Sequence, residues 1–349
     1  MNCIVTGAAG FLGSHLVKYL VARDHYVLGI DDLSGGRMDN LTEVLEKKGF
    51  DFWRTDLAER GNRLDIKSTS LDDGIRTHGK FDVAFHLAAD ATEGRSQFHP
   101  VACTYDNYMA SLGFFSACIR NNVKRIVFAS SMSVYGGQPP PFDETQHRRP
   151  EDIYAISKAS SESALEILSK VHDFEYVIVR PHNVYGPNQR MDDPYRNVVA
   201  IWMNAIVRRK ACYMYGDGEQ RRAFSYIDDI TPCLANCALA ATGEIVNLGA
   251  EKDYALRDLW NALVAVSEFD DARMEFLPPR PLEVKYAWAT VEKSKRLLGF
   301  VDDTPLTEGL SRMWRWFRQA FPFGLPPSYV EALELPNEKT PKTWTDKLY

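Results

Sequence analysis

An α/β fold, a doubly wound parallel sheet with a smaller C-terminal lobe, is predicted by three features of the sequence. Short β-branched or apolar runs alternate with longer helical patterns through the first 180 residues. A glycine-rich turn joins the first run to the first helix. The alternation then gives way, after "RPHNVYGP", to Pro, Gly and Asn punctuation.

The strand candidates of the first half are "CIVT", "YVLGI", "FDFW", "VAFHL", "RIVFASS" and "YVIVR", with helical stretches at 11–23, 100–121 and 153–172. This βαβ rhythm calls for a mostly parallel sheet covered by helices on both faces. Beyond it, helices are expected near 195–209, 228–241 and 256–267, with short strands in "CYMY", "EIVNLG" and "MEFL". That half reads as a smaller lobe over the strand ends. The expected division is therefore a cofactor-binding unit over 1–180, a mainly substrate-binding lobe over 181–320, and an extended tail rich in Pro, Lys and Thr over 321–349.

The chain has 349 residues, 45% of them hydrophobic, which is enough for a large buried core. With 41 basic and 47 acidic residues its formal charge is −6, so nothing favours a nucleic-acid backbone or an anionic membrane as partner. An anionic ligand must be met by local arginines. The six cysteines, Cys3, Cys103, Cys118, Cys212, Cys233 and Cys237, form neither a CxxC pair nor a finger spacing, and are read as buried free thiols with no metal site. No apolar run approaches the ~18 residues of a membrane span, and the apolar N-terminus lacks a basic leader, so a cytoplasmic protein is expected.

"IVTGAAGFLGSHL" sets Gly7, Gly10 and Gly13 between the first strand and the first helix. Gly7 permits a tight turn, Gly10 a close approach of backbone to a pyrophosphate, and Gly13 close packing of helix on sheet. The helix N-terminus then faces the anion. The second strand ends in Asp31, where a carboxylate would accept hydrogen bonds from the adenosine ribose hydroxyls and repel a 2′-phosphate. NAD is thus expected over NADP. Asp32 is a rival for this role, and Arg37 is the one nearby cation that could soften the preference.

"YAISK" places Tyr154 and Lys158 one helical turn apart. Alone, that spacing favours a solvated helix face, with Lys158 pairing to Glu162 four residues on.

Taken together, the glycine loop, Asp31, "HLAA" at 86–89, "SSMSVYG" at 130–136, Tyr154-x-x-x-Lys158 and "RPHNVYGP" at 180–187 closely resemble the extended short-chain dehydrogenase/reductases, the NAD-dependent nucleotide-sugar epimerase/dehydratase family. The resemblance runs from residue 1 to about 320. It is greatest to the 4-epimerases of UDP-hexoses such as glucose and galactose. It implies a Rossmann-type domain and a chemical role for "YAISK". Tyr154 becomes a general base whose phenolate is favoured by a neighbouring ammonium and a cationic nicotinamide. Lys158 also holds the nicotinamide ribose, and Ser131 supports proton movement; Ser130 and Ser133 compete with Ser131.

The same resemblance assigns Gly7, Gly10, Phe11, Leu12, Gly13, Asp31, Asp32, Asp56, Leu57, Leu87, Ala88, Ala89 and Asn107 to the cofactor, along with Tyr154 and Lys158. It assigns Asn183, Arg222 and Arg280 to the substrate diphosphate or sugar and Glu283 to the nucleoside ribose. Ala287 takes a position that gates the sugar pocket, with Tyr286 able to fill the gap. His182 reads as a satisfied polar residue and Arg221 as solvated. Thr92, Glu93 and Arg95 fall in a segment expected to face the hexose. There Arg95 would meet a C6 carboxylate, making the substrate a UDP-uronic acid, or would pair with Glu93 on the surface. Met132 and Ser133 stand where dehydratases carry an Asp-Glu pair and decarboxylases a Glu, which argues against elimination and decarboxylation. A catalytically silent NAD sensor on the same fold would be expected to have lost Tyr154 or Lys158. The helices at 100–121 and 153–172 resemble the pair through which the family forms homodimers, with Phe114 and Phe115 supplying apolar area.

Overall fold

The structure is a computed structural model, and it describes residues 1–58, 70–327 and 333–349. Six parallel strands, β1 (Asn2–Thr6), β2 (Tyr26–Asp31), β3 (Phe50–Arg54), β4 (Val83–His86), β5 (Arg125–Ala129) and β6 (Glu175–Pro181), coincide with the six expected runs. They lie in the order β6-β5-β4-β1-β2-β3. A seventh strand, Glu244–Leu248, pairs parallel to β6 and completes the sheet. "EIVNLG" was expected in the smaller lobe. Its Val246 and Leu248 are instead fully buried in the main core, which pairing to the open edge of β6 achieves.

Within each strand, alternate side chains enter opposite faces. Val5, Phe85, Val127 and Val179 join one core with the first helix, α1 (Phe11–Val21), and the helix Ile227–Asn236. Ile4, Ala84, Phe128 and Ile178 join the other core with residues of the helices Ser70–His78, Ala110–Arg120 and Ile153–Ser169. The strand order reverses between β1 and β4, and in such sheets a ligand crevice opens at that point.

Phe114 and Phe115, expected to supply dimer area, are fully buried. Phe114 stacks on His86 at 5.0 Å and Phe115 meets it edge-on at 5.5 Å, so both are spent on their own sheet. The outward apolar residues of these helices are Val101, Met109, Ile156 and Ile167. The helix expected at 100–121 is interrupted by a π turn at Tyr105–Met109.

The expected extended tail is folded back over its described part. The Trp344 ring is buried, 5.0 Å from Tyr195 and 6.0 Å from Phe98. The Glu334 carboxylate accepts from the Val101 and Ala102 backbone N–H groups, both at 2.9 Å, at the start of the helix Pro100–Thr104. An apolar ring and a helix-capping carboxylate give this segment burial that its polar composition hides. Residues 328–332 lie outside the described residues. All six cysteines are free and buried. Among the described residues no helix is long and apolar enough to cross a membrane.

Candidate active site

A cleft of about 650 Å³ opens over the carboxyl ends of the strands and runs from the glycine loop into the smaller lobe. At one end lies the turn after β1. Gly7 has φ +66°, and a Cβ there would come within 2.9 Å of the Ala88 backbone. The loops after β1 and β4 therefore touch at the switch point. A Cβ on Gly13 would fall 1.9 Å from the Gly7 carbonyl oxygen, so only glycine lets α1 start this close to the turn.

A buried hydrogen-bond chain fixes the second loop. Thr6 Oγ1 accepts from the Leu87 and Ala88 N–H groups at 3.1 and 3.2 Å, leaving its proton for His86 Nδ1 at 2.8 Å. His86 Nε2 then donates to Ser111 Oγ at 3.0 Å, and Ser111 donates to the Asn107 carbonyl. Burial holds the His86 pKa well below its usual value, which keeps the ring neutral for this relay. Asn107 lies behind the wall rather than on it. Its Nδ2 is committed to the carbonyls of Asp90 at 3.1 Å and Cys103 at 2.9 Å, so it positions the 88–90 loop.

Asp31 is buried at the end of β2. One carboxylate oxygen accepts from Ala9 N at 3.0 Å and the other from Leu33 N at 2.8 Å, leaving acceptor capacity on both. A Cβ on Gly36 would press within 2.9 Å of Asp31 Oδ1. Burial raises the Asp31 pKa, against the lowering effect of these backbone bonds. Asp32 is exposed and turned into its own loop, accepting from Ser34 N at 2.9 Å and Ser34 Oγ at 2.7 Å. Phe11, Leu12, Asp56, Leu57, Leu87 and Ala89 line the same end of the cleft. A glycine cradle, a helix N-terminus and a buried carboxylate with free lone pairs fit a dinucleotide.

In the middle stand the residues of "SSMSVYG" and "YAISK". Asp152 caps the helix Ile153–Ser169 by accepting from Ala155 N at 2.7 Å, and so aims the first turn that carries Tyr154. Of the three serines, Ser131 hydrogen-bonds the Tyr154 phenol. Ser131 Oγ also accepts from Ser133 N at 3.1 Å and Ser133 Oγ at 2.9 Å. The Lys158 ammonium is buried, donates to the Ala129 carbonyl at 2.8 Å and lies 5.8 Å from the centre of the Tyr154 ring. It does not pair with Glu162, whose carboxylate is held by Arg180 and Arg148. Burial pushes the Tyr154 phenol above its ordinary pKa, against the Ser131 bond, and lowers Lys158 to about 7.

At the far end, the strand Arg221–Ala223 lies between Asp253–Ala255 and Tyr286–Ala287, with Ala287 opposite Arg222. Arg222 donates to the carbonyls of Arg221 at 2.8 Å and Lys285 at 3.0 Å. Arg280 pairs with Glu283 at 2.7 Å and lies over the Tyr215 ring. Glu283 Oε2 is buried with no partner. Asn183 donates to the Ala223 carbonyl at 3.0 Å with φ +42°. His182 Nε2 donates to the Ala250 carbonyl at 3.2 Å, while its Nδ1 is buried without a partner, so this histidine is only half satisfied. Asn183, Arg222, Arg280, Glu283 and Ala287 all line the cleft, whereas Tyr286 is exposed beside Trp288 and does not fill the space near Ala287.

Two sugar-facing expectations are corrected. Arg95 neither faces the cleft nor pairs with Glu93. Its guanidinium is 1% exposed, bonded to Asp90 at 2.9 Å and lying 5.0 Å from the Tyr195 ring. Thr92 is buried with it, donating to Asp90 at 2.7 Å. Glu93 and Asp152 face the cleft instead. Asp152 was not singled out from the sequence, where its one local signal is an aspartate just before the helix. The tail contributes Pro341, Thr343, Trp344 and Tyr349 to the wall, with Thr343 bonded to the Tyr215 hydroxyl at 2.6 Å.

Residues 3–249 match the NAD dependent epimerase/dehydratase family. The chain belongs to that family. It is an NAD-dependent enzyme. A UDP-glucose 4-epimerase of Mycolicibacterium smegmatis is 32% identical over 324 residues, covering 91% of this chain and 99% of that protein. A UDP-N-acetylglucosamine 4-epimerase from Methanobrevibacter ruminantium, solved with UDP-N-acetylmuramic acid, superposes with a TM-score of 0.83 at 32% identity, over 92% of this chain and 99% of that one. A UDP-glucuronic acid 4-epimerase from Bacillus cereus, solved with UDP-glucuronic acid and NAD, gives a TM-score of 0.82 at 28% identity, over 92% of this chain and 100% of that one. The family membership is clear, and the relatives differ in their sugars.

Proposed function

We propose that this family member is a nucleotide-sugar 4-epimerase acting on UDP-hexoses through a transient 4-keto sugar. The observation that carries the reading is the Ser131–Tyr154–Lys158 group, set in one cleft between the glycine loop and the Arg222–Arg280 pair. The glycine loop and α1 N-terminus hold the NAD pyrophosphate, and Asp31 the adenosine ribose. Bound NAD supplies the hydride acceptor and donor. Tyr154 takes the proton of the sugar 4-hydroxyl, with Ser131 bridging, and returns it after the sugar has turned about its diphosphate link. Arg222, Arg280 and Asn183 grip the diphosphate by charge-assisted bonds and hold the intermediate while it turns. Glu283, with one unpartnered oxygen, accepts from the nucleoside ribose.

Incubating the protein with UDP-glucose and UDP-N-acetylglucosamine, followed by sugar analysis, should show C4 epimers of both without added cofactor, and NAD should be recovered on denaturation. No C4 epimer from either, or recovery of NADP, overturns the reading. Both sugars are expected because Ala287 leaves space beside Arg222 that Tyr286 does not occupy. Ala287→Tyr should selectively lose the N-acetyl substrate, since overpacking a filled pocket costs ~1 to 3 kcal/mol. Equal loss of both sugars would refute this.

The outward faces of the helices that include Met109, Ile156 and Ile167 support a homodimer. Light scattering should give twice the chain mass, and Ile156→Asp should reduce it to the monomer. A wild-type monomer mass at all concentrations refutes the dimer.

A further inference from the structure

We propose that Glu93 and Asp152 set the sugar class of the cleft, selecting nucleotide sugars without a C6 carboxylate. This rests on the nucleotide-sugar reading above and goes beyond it to the substrate.

The one cation of the sugar-facing segment, Arg95, is withdrawn into the wall, where Asp90 neutralises it at 2.9 Å. Glu93 and Asp152 face the cleft, and among the described residues neither has a cation within ion-pair distance. The nearest attractive charges on Glu93 are Arg222 and Arg280. Arg280 is already bonded to Glu283, and both arginines are the diphosphate's partners in the proposed pose. A sugar held between those arginines and Tyr154 therefore lies beside Glu93 and Asp152.

Geometry places them at the reacting end: Asp152 caps the helix two residues before Tyr154, and a Cβ on Gly94, next to Glu93, would lie 3.8 Å from Arg280 Nη1. Both carboxylates push the Tyr154 phenol upward, after the larger effect of burial. Burial and then the Glu93 charge raise the Asp152 carboxyl to about 7. A ligand is also indicated independently by His182, which is 1% exposed. Burial lowers its pKa to about 4, so the ring is neutral. With Nε2 donating to Ala250, Nδ1 is an acceptor without a protein partner on the wall of the same cleft. A buried acceptor left open in this way calls for a donor from outside the protein.

In such a pocket a C6 hydroxymethyl can donate a charge-assisted bond to a carboxylate. A C6 carboxylate adds a negative charge beside two acids, and like charges facing one another in a cleft repel.

Calorimetric titration of the NAD-loaded enzyme with UDP-glucose and UDP-glucuronate tests this. The wild type should bind UDP-glucose about tenfold or more tighter, because like-charge juxtaposition suppresses the wrong partner. Glu93→Gln and Asp152→Asn, which keeps the helix-capping acceptor, should each shrink that ratio by strengthening UDP-glucuronate binding. A structural role alone would weaken both ligands together and leave the ratio fixed. Equal wild-type affinities, or a ratio unmoved in both variants, overturns the proposal. Discrimination in binding without C4 epimerisation leaves this inference standing and defeats the proposed reaction. Epimerisation of UDP-glucose with no discrimination does the reverse, and failure of both sugars to bind defeats both.

Discussion

Replacing Tyr154 by phenylalanine is expected to lower kcat by about 10²-fold or more, the usual worth of a positioned acid–base group, while NAD stays bound. The ring stays in its wall, so packing and the Lys158 contact at 5.8 Å are retained, and only the ionisable hydroxyl is lost. The polypeptide alone does not favour the phenolate. Burial raises the phenol, and the Lys158 ammonium, itself depressed by burial to about 7, is bonded to the Ala129 carbonyl. The phenol thus depends on its Ser131 bond and on positive charge brought by the bound cofactor. Single-turnover epimerisation with NAD quantified after denaturation separates the two readouts. Near-wild-type turnover by Tyr154→Phe would refute the base assignment.

What the sequence made legible is what is encoded locally. Gly7, Gly10 and Gly13 carry their spacing in seven consecutive residues, and Tyr154 and Lys158 share one helix turn, so their neighbourhood needs no tertiary information. The alternating strands likewise declare their two faces.

The misreadings concern partners distant in the chain. Even the pairing that the resemblance set aside, Lys158 with Glu162, fails for this reason, since Glu162 meets Arg180 from β6 and Arg148 from a loop. Arg95 looked free to meet a substrate because the wall that engages it includes Tyr195, a hundred positions on. Phe114 and Phe115 lie on a helix whose buried face cannot be told from its interface face by apolar content alone. The tail was read from its polar composition, while its placement is governed by one tryptophan and one capping glutamate.

Glu162→Gln is expected to destabilise the fold by about 3 kcal/mol or more, in line with breaking one member of a buried charge pair. The Glu162 carboxylate is fully buried and accepts from Arg180 Nε at 2.9 Å and Nη2 at 2.6 Å, and from Arg148 Nε at 2.5 Å. Arg180 is 1% exposed on β6, 4.6 Å from the Tyr135 ring, whose hydroxyl donates to Asn247 on the seventh strand. One carboxylate therefore ties the helix carrying Tyr154 and Lys158 to the sheet. The amide keeps the shape but leaves the buried Arg180 charge uncompensated. Burial opposes ionisation of Glu162, but the Arg180 bonds and charge prevail and hold its carboxyl below the ordinary value. Because the folded pKa is the lower one, the charge contributes its stability fully above the unfolded pKa of ~4.3 and loses it as pH falls through the folded value. The gap between wild type and Glu162→Gln in urea unfolding should accordingly be full at neutral pH and narrow in acid. A variant as stable as wild type at pH 7, or a gap that widens on acidification, would show that this pair does not anchor the catalytic helix.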